Sequence, residues 1–179
     1  MRYLAIDFGK KRIGLAISDD AGMFASPYAT RRRLGTARDV EEIITTLRGL
    51  GAQGIVFGLP RSSDGSRGPL ENETRALAAA LQDGLRAANL EIEIEWWDER
   101  FSTAEALTHM RAAGISQKRG RESSGTDSVD ARAAAVILQG FLDSKESARA
   151  RELAADEDDN EFDDNEFDDE EITDGVENS

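Results

Sequence analysis

The sequence predicts one α/β domain, a mixed sheet sandwiched between helices in three layers, followed by a disordered acidic tail. Three observations lead there. Two apolar runs, Tyr3 to Ile6 and Ile13 to Ile17, flank a turn around Gly9 to Arg12 and read as a hairpin. The stretch Gly54 to Pro60 is continuously apolar, the pattern of a strand covered on both faces. From Thr36 onward, helix-period segments alternate with strand-period ones, and that alternation requires helices packed on a sheet.

Each element follows in order. Tyr3 to Ile6 and the run ending at Ser18 give the first two strands, with Lys10, Lys11 and Arg12 at their turn. Met23 to Arg33 is a third strand, and Phe24, Tyr28 and the breaker Pro27 mark it as an irregular or edge strand. Thr36 to Leu50 is a helix: Thr36 is its expected cap, and Val40, Ile43, Ile44 and Leu47 recur at helical spacing. After the strand at Gly54 to Pro60 comes a Ser- and Gly-rich loop, Arg61 to Gly68. Pro69 then opens a long helix to about Asn89, with Leu70, Thr74, Leu77, Leu81 and Leu85 on one face. Leu90 to Trp97 alternates Ile92, Ile94 and Trp96 with three glutamates, a strand with one wet face. Ser102 and Glu105 form a capping box for a helix to about Ala113. Gln117 to Gly125 is a polar, basic loop. The last helix is expected over Asp127 to Ser144, giving a domain over residues 1–144 and a linker with tail over 145–179.

Charge is distributed unevenly. The formal net charge is -14 over 179 residues, but Glu152 to Ser179 holds 15 acidic side chains and no basic one. That leaves 22 basic against 21 acidic residues in 1–151, a net of +1, so a nucleic-acid partner is not excluded. The tail repeats Asn-Glu-Phe-Asp-Asp at 160–164 and 165–169. Such composition buries too little apolar surface to fold. It serves either as a solvated spacer or as a nucleic-acid mimic over the basic loops. There is no cysteine, which removes disulfides and thiolate metal sites. No apolar run reaches the roughly 18 residues of a membrane span, and no signal peptide opens the chain, so a soluble cytoplasmic protein is expected.

Chemistry is expected from acids at element ends. Asp7 ends the first strand among apolar neighbours, where a lone carboxylate costs several kcal/mol unless it is paired. Either the basic turn satisfies it or a metal ion does. Asp98 and Glu99 end the alternating strand, and Asp127 and Asp130 open the last helix. In an open α/β sheet, sites form beyond the carboxyl ends of parallel strands, so these acids can meet there. Three carboxylates in one cleft repel each other, and hard divalent cations such as Mg2+ or Mn2+ relieve that repulsion. Simpler roles exist for each: Asp127 as a helix cap, Asp130 on the helix dipole, Asp98 with Arg100, and Asp7 bonded to its own turn.

Four segments in one order carry a resemblance. They are Asp7-Phe8-Gly9-Lys10-Lys11-Arg12-Ile13-Gly14, then Gly58-Leu59-Pro60 with Asp64-Gly65-Ser66, then Asp98-Glu99-Arg100-Phe101-Ser102-Thr103-Ala104-Glu105, and finally Val129-Asp130-Ala131 with Ala135 to Leu138. Over about residues 1 to 144 the chain resembles the YqgF (RuvX) family, RuvC-like nucleases on the ribonuclease H fold. The resemblance implies a five-stranded ribonuclease H-like sheet and a phosphodiester hydrolase that matures the 5′ end of pre-16S ribosomal RNA. The alternative it carries is a Holliday-junction resolvase. Asp7, Glu99 and Asp130 match the family's acids, and the implied mechanism uses two Mg2+ or Mn2+ ions, with Asp7 bridging both. RuvC-type resolvases carry a Glu in the central strand. Here that strand has no acid, so the remaining ligand falls to Asp98 or Glu99.

The basic residues Lys10, Lys11, Arg12, Arg61, Arg67, Arg100, Lys118, Arg119 and Arg121 are the expected contacts to RNA or branched-DNA phosphates. Arg31 to Arg33 form a further basic run. Trp96 and Trp97 fall on opposite faces of their strand, so at least one belongs to the core. Partners in ribosome assembly or transcription are compatible with this reading. Two rival classes share the opening pattern: an ATPase of the actin and Hsp70 type, which needs a second domain to enclose its nucleotide, and a non-catalytic nucleic-acid-binding protein.

Overall fold

The computed structural model describes residues 1–60, 68–98 and 128–160. The strands are β1 (Tyr3–Phe8), β2 (Arg12–Ser18), β3 (Ala25–Arg32), β4 (Gly54–Leu59) and β5 (Glu93–Asp98). The helices are α1 (Thr36–Leu50), α2 (Pro69–Ala87) and α3 (Val129–Asn160). The expected helix after Ser102, the loops at 61–67 and 117–125, and the end of the tail lie outside the described residues.

The strands form one sheet in the order β3-β2-β1-β4-β5. β1 pairs antiparallel with β2 and parallel with β4; β2–β3 is antiparallel and β4–β5 parallel. The expected mixed five-stranded sheet is therefore present. Side chains alternate across it, and the alternation separates two cores. Leu4, Ile6 and Phe8 of β1, with Ile55 and Phe57 of β4, pack against Ile43, Leu47, Leu77, Leu81 and Leu85 of α1 and α2. Tyr3, Ala5 and Val56 point the other way, onto Ala134, Ile137, Leu138 and Phe141 of α3. β4 is buried along its whole length, which accounts for its continuous apolar run. Fully buried side chains such as Leu81 and Leu138 each contribute roughly 1.5–3 kcal/mol.

Four local readings change. α1 has Gly35 at its N-cap and no side-chain cap bond from Thr36. Instead the buried carboxylate of Asp39 accepts the Leu34 N–H (2.8 Å) and an Arg33 N–H (3.3 Å), tying the incoming chain to the first turn. β5 begins at Glu93, not Leu90, because the Leu90 N–H closes the end of α2 on the Leu85 carbonyl (2.9 Å) with Asn89 at φ 53°. α3 is capped by Ser128, whose Oγ accepts the Ala131 N–H (3.2 Å); Asp127 lies outside the described residues. Finally, α3 continues past Ser144 to Asn160. Residues 145–155, Lys-Glu-Ser-Ala-Arg-Ala-Arg-Glu-Leu-Ala-Ala, are strong helix formers, and propensity carries the helix where no apolar face requires it.

Two compact units divide at Lys145 and Glu146. The first, Met1–Lys145, holds the sheet and both cores. In the second, residues 146–160 are helical, and the side chains of 146–155 are exposed. Among the described residues no helix is long and apolar enough to cross a membrane.

Candidate active site

Asp7 is the penultimate residue of β1 and is partly buried. Its cross-strand partner is Gly14. Parity along β1 places Asp7 with Tyr3 and Ala5, on the α3 face of the sheet. Gly14 shares that face, and the first turn of α3 rests directly on it. A Cβ on Gly14 would overlap the Asp130 carbonyl oxygen and lie 2.5 Å from the carbonyl carbon and 3.2 Å from the Ala131 nitrogen. The missing side chain is thus what lets α3 start against the sheet. Cross-strand Cα atoms are about 5 Å apart, which puts the backbone of Asp130 on the order of 10 Å from that of Asp7.

The seat of α3 is fixed by polar contacts as well. Thr30 faces Gly14 across β2–β3, and its hydroxyl bonds the Ser128 hydroxyl that caps α3. Arg12, two residues before Gly14 and on the same face, donates from Nε to Asp130 Oδ2 at 2.5 Å. This pair links residues 118 apart in sequence. Arg12 of the basic turn is thus engaged by Asp130. Asp130 also lies in the first turn of α3, where the helix dipole favours a negative charge.

The remaining acids separate by parity. Asp98 ends β5 and pairs with Leu59. Its neighbour Trp97 packs on Phe141 of α3 (6.5 Å between ring centroids) and Trp96 on Phe57 of the other core (5.5 Å). Continuing the alternation sets Asp98 on the α1/α2 face, opposite Asp7 and Asp130. Glu99 and Asp127 lie outside the described residues. Among the described residues no three acidic or histidine side chains gather to hold a metal ion. Asp7 and Asp130 are two hard oxygen donors on one face at the carboxyl end of β1, the donor chemistry that Mg2+ and Mn2+ accept. In this structure a guanidinium supplies the positive charge beside Asp130.

The basic residues gather at one end of the β2–β3 pair, Arg12 and Arg32 on the α3 face and Arg31, opposite Ile13, on the α1/α2 face, a grouping the sequence did not show. Arg12 pairs with Arg32 and Ile13 with Arg31 across β2–β3, and the Arg33 N–H donates to the Lys11 carbonyl (3.0 Å). Lys10, Lys11, Arg12, Arg31 and Arg32 are all exposed there. Arg33 is engaged elsewhere: it bonds Asp39 and Glu73 and lies 4.3 Å over the Phe8 ring. Arg61, Arg67, Arg100, Lys118, Arg119 and Arg121 lie outside the described residues. Trp96 is 38% exposed, with the Arg75 guanidinium 4.9 Å from its ring.

Comparison with known proteins supplies the kinship. The chain is 42% identical over 147 residues to an Anaeromyxobacter protein named "Putative pre-16S rRNA nuclease", covering 81% of this chain and 98% of that one. A protein of the same name from Paramagnetospirillum magneticum is 39% identical over 144 residues, covering 80% and 86%. Among solved structures, RuvC of T. thermophilus in complex with a Holliday junction substrate superposes with a TM-score of 0.53 at 14% identity, over 82% of this chain and 96% of that one. The yeast mitochondrial Holliday junction resolvase Ydc2 gives 0.53 at 11% identity, over 78% and 77%. At such identities the likeness is one of fold, and the fold is that of RuvC. A family model described as "RuvX: Holliday junction resolvase" matches residues 1–144, and the chain belongs to the RuvX family.

Proposed function

We propose that this protein is a metal-dependent nuclease that hydrolyses phosphodiester bonds while processing the 5′ end of pre-16S ribosomal RNA. One observation carries the site: the side-chain-free Gly14 brings the Asp130 turn against the strand position opposite Asp7. The curated relatives' shared name supports the substrate.

Asp7, Asp130 and Glu99 are the proposed ligands of two Mg2+ or Mn2+ ions, with Asp127 as a further acid; Asp98, which the β5 alternation sets on the opposite face, is left out of the ligand set. When bound, the ions supply a water of lowered pKa and stabilise charge on the departing oxygen. The chain's own residues do the rest. Asp7, set within β1, and Asp130, set in the α3 turn that Ser128 caps, present their carboxylates from backbone positions already in place. Lys10, Lys11, Arg12 and Arg32 hold the phosphate backbone and orient a scissile bond toward the acids. Arg61, Arg67, Arg100, Lys118, Arg119 and Arg121 are proposed to extend that grip. Ribosome-assembly or transcription components are the proposed macromolecular partners, and the cytoplasm the proposed compartment.

The test is cleavage of precursor rRNA, single-stranded RNA and four-way DNA junctions with either ion. Asp7→Asn should abolish cleavage while leaving the melting temperature and RNA binding close to wild type. Full activity in the purified variant refutes the assignment. Holliday-junction resolution is the second reading, favoured by the family model's description. It prevails if junctions are cut and precursor rRNA is not.

A further inference from the structure

We propose that Arg12 is an internal counter-cation for Asp130, which a divalent ion must displace, and that the displaced guanidinium then joins Arg32 in gripping a substrate phosphate. The inference rests on the nuclease reading above, in which Asp130 is a metal ligand. Arg12 Nε contacts Asp130 Oδ2 at 2.5 Å. The side chains are 53% and 28% exposed, so the pair is accessible to an incoming ion and not locked in a core. Arg12 also faces Arg32 across β2–β3, on the same side of the sheet. Two guanidiniums side by side repel each other, and the Asp130 carboxylate offsets that repulsion. Once an ion holds Asp130, Arg12 and Arg32 become a pair of planar donors with no anion between them, the arrangement that binds a phosphate. Metal loading and backbone grip are thereby coupled through one side chain, and the grip stays weak until the ion is in place.

The experiment titrates Mn2+ alone into the full-length protein, followed by the electron paramagnetic resonance signal of the free ion. Arg12→Gln should bind Mn2+ about threefold to fivefold more tightly than wild type, the size of a half-exposed ion pair. Lys11→Gln removes an equal charge from the same turn without losing the Asp130 contact, and should change affinity less. In an Asp130→Asn background, adding Arg12→Gln should change nothing further. A second readout is the affinity for a single-stranded RNA, compared without and with Ca2+ to avoid turnover. The gain on adding Ca2+ should shrink in Arg12→Gln. Unchanged or weaker Mn2+ binding in Arg12→Gln, or an equal gain in Lys11→Gln, overturns this proposal while leaving the nuclease reading standing. No Mn2+ binding by the wild type removes both.

Discussion

Gly14→Ala isolates the packing that assembles the site. The added methyl group would overlap the Asp130 carbonyl oxygen and stand 3.2 Å from the Ala131 nitrogen, both backbone atoms that cannot rotate away. Relief requires α3 to lift off β2 at its first turn. Overpacking of this kind costs about 1–3 kcal/mol, and for a chain of this size each kcal/mol lowers Tm by roughly 2–4 °C. A fall of about 2–12 °C is therefore expected. The functional loss should be larger, because a misplacement near 1 Å of reacting groups costs on the order of 100-fold. Gly140→Ala is the control on the same helix. Its Cβ would meet the Trp97 ring at 3.0 Å, a side chain able to yield, and alanine recovers about 1 kcal/mol of helix propensity. That variant should keep its cleavage rate. The assay pairs thermal melts with cleavage of precursor rRNA. A Gly14→Ala protein with wild-type Tm and rate would show that α3 does not depend on this approach.

Two further outcomes are expected. Replacing Lys10 and Lys11 together by Ala should reduce the slope of log affinity against log salt by about 1.4 for single-stranded RNA, since each lost phosphate contact removes about 0.7; an unchanged slope places the substrate elsewhere. Asp19 accepts the Phe24 and Met23 N–H groups (3.1 and 2.7 Å), and these bonds hold its pKa below the usual carboxylate value. Its folded pKa lies under its unfolded one, so its stabilisation of the β2–β3 turn is present above the unfolded value and is lost as pH falls through the folded one. The Met23 and Phe24 amide resonances should then titrate together below the usual aspartate range, and titration at the ordinary value refutes the assignment.

Most of the framework was legible because periodicity encodes burial. The hairpin of β1 and β2, the doubly covered β4 and the amphipathic α1 and α2 all follow from which residues must leave water. Trp96 and Trp97 were rightly divided between faces, for alternation alone requires it. The cap of α3 was readable in principle, since Ser128 stands three residues before Ala131 and serines favour that position. What the sequence could not yield were contacts between distant segments. Nothing local in Arg12 points to Asp130, and nothing in Arg32 reveals that it lies across from Arg12. Gly14 reads as an unremarkable strand glycine until a helix is laid across it. The continuation of α3 beyond Ser144 rests on helix propensity without an apolar face, a pattern that periodicity does not mark.

Midway along its length, α3 meets Tyr3, the opening residue of β1. Lys145 donates to the Tyr3 hydroxyl (3.0 Å) and to Glu95 (2.5 Å), while Phe141 sits edge-on to the Tyr3 ring at 5.2 Å. Burial opposes the Lys145 charge, but the bonds to Glu95 and Tyr3 outweigh it and raise its pKa above the ordinary lysine value. The helix is consequently fastened at both margins of the sheet, about 22 Å apart at 1.5 Å per residue. A rod clamped at two points transmits displacement along its axis. The anchorage at Phe141 and Lys145 therefore sets how far the Asp130 carboxylate at the head of the helix can travel, and drift there would surface as imprecision beside Asp7.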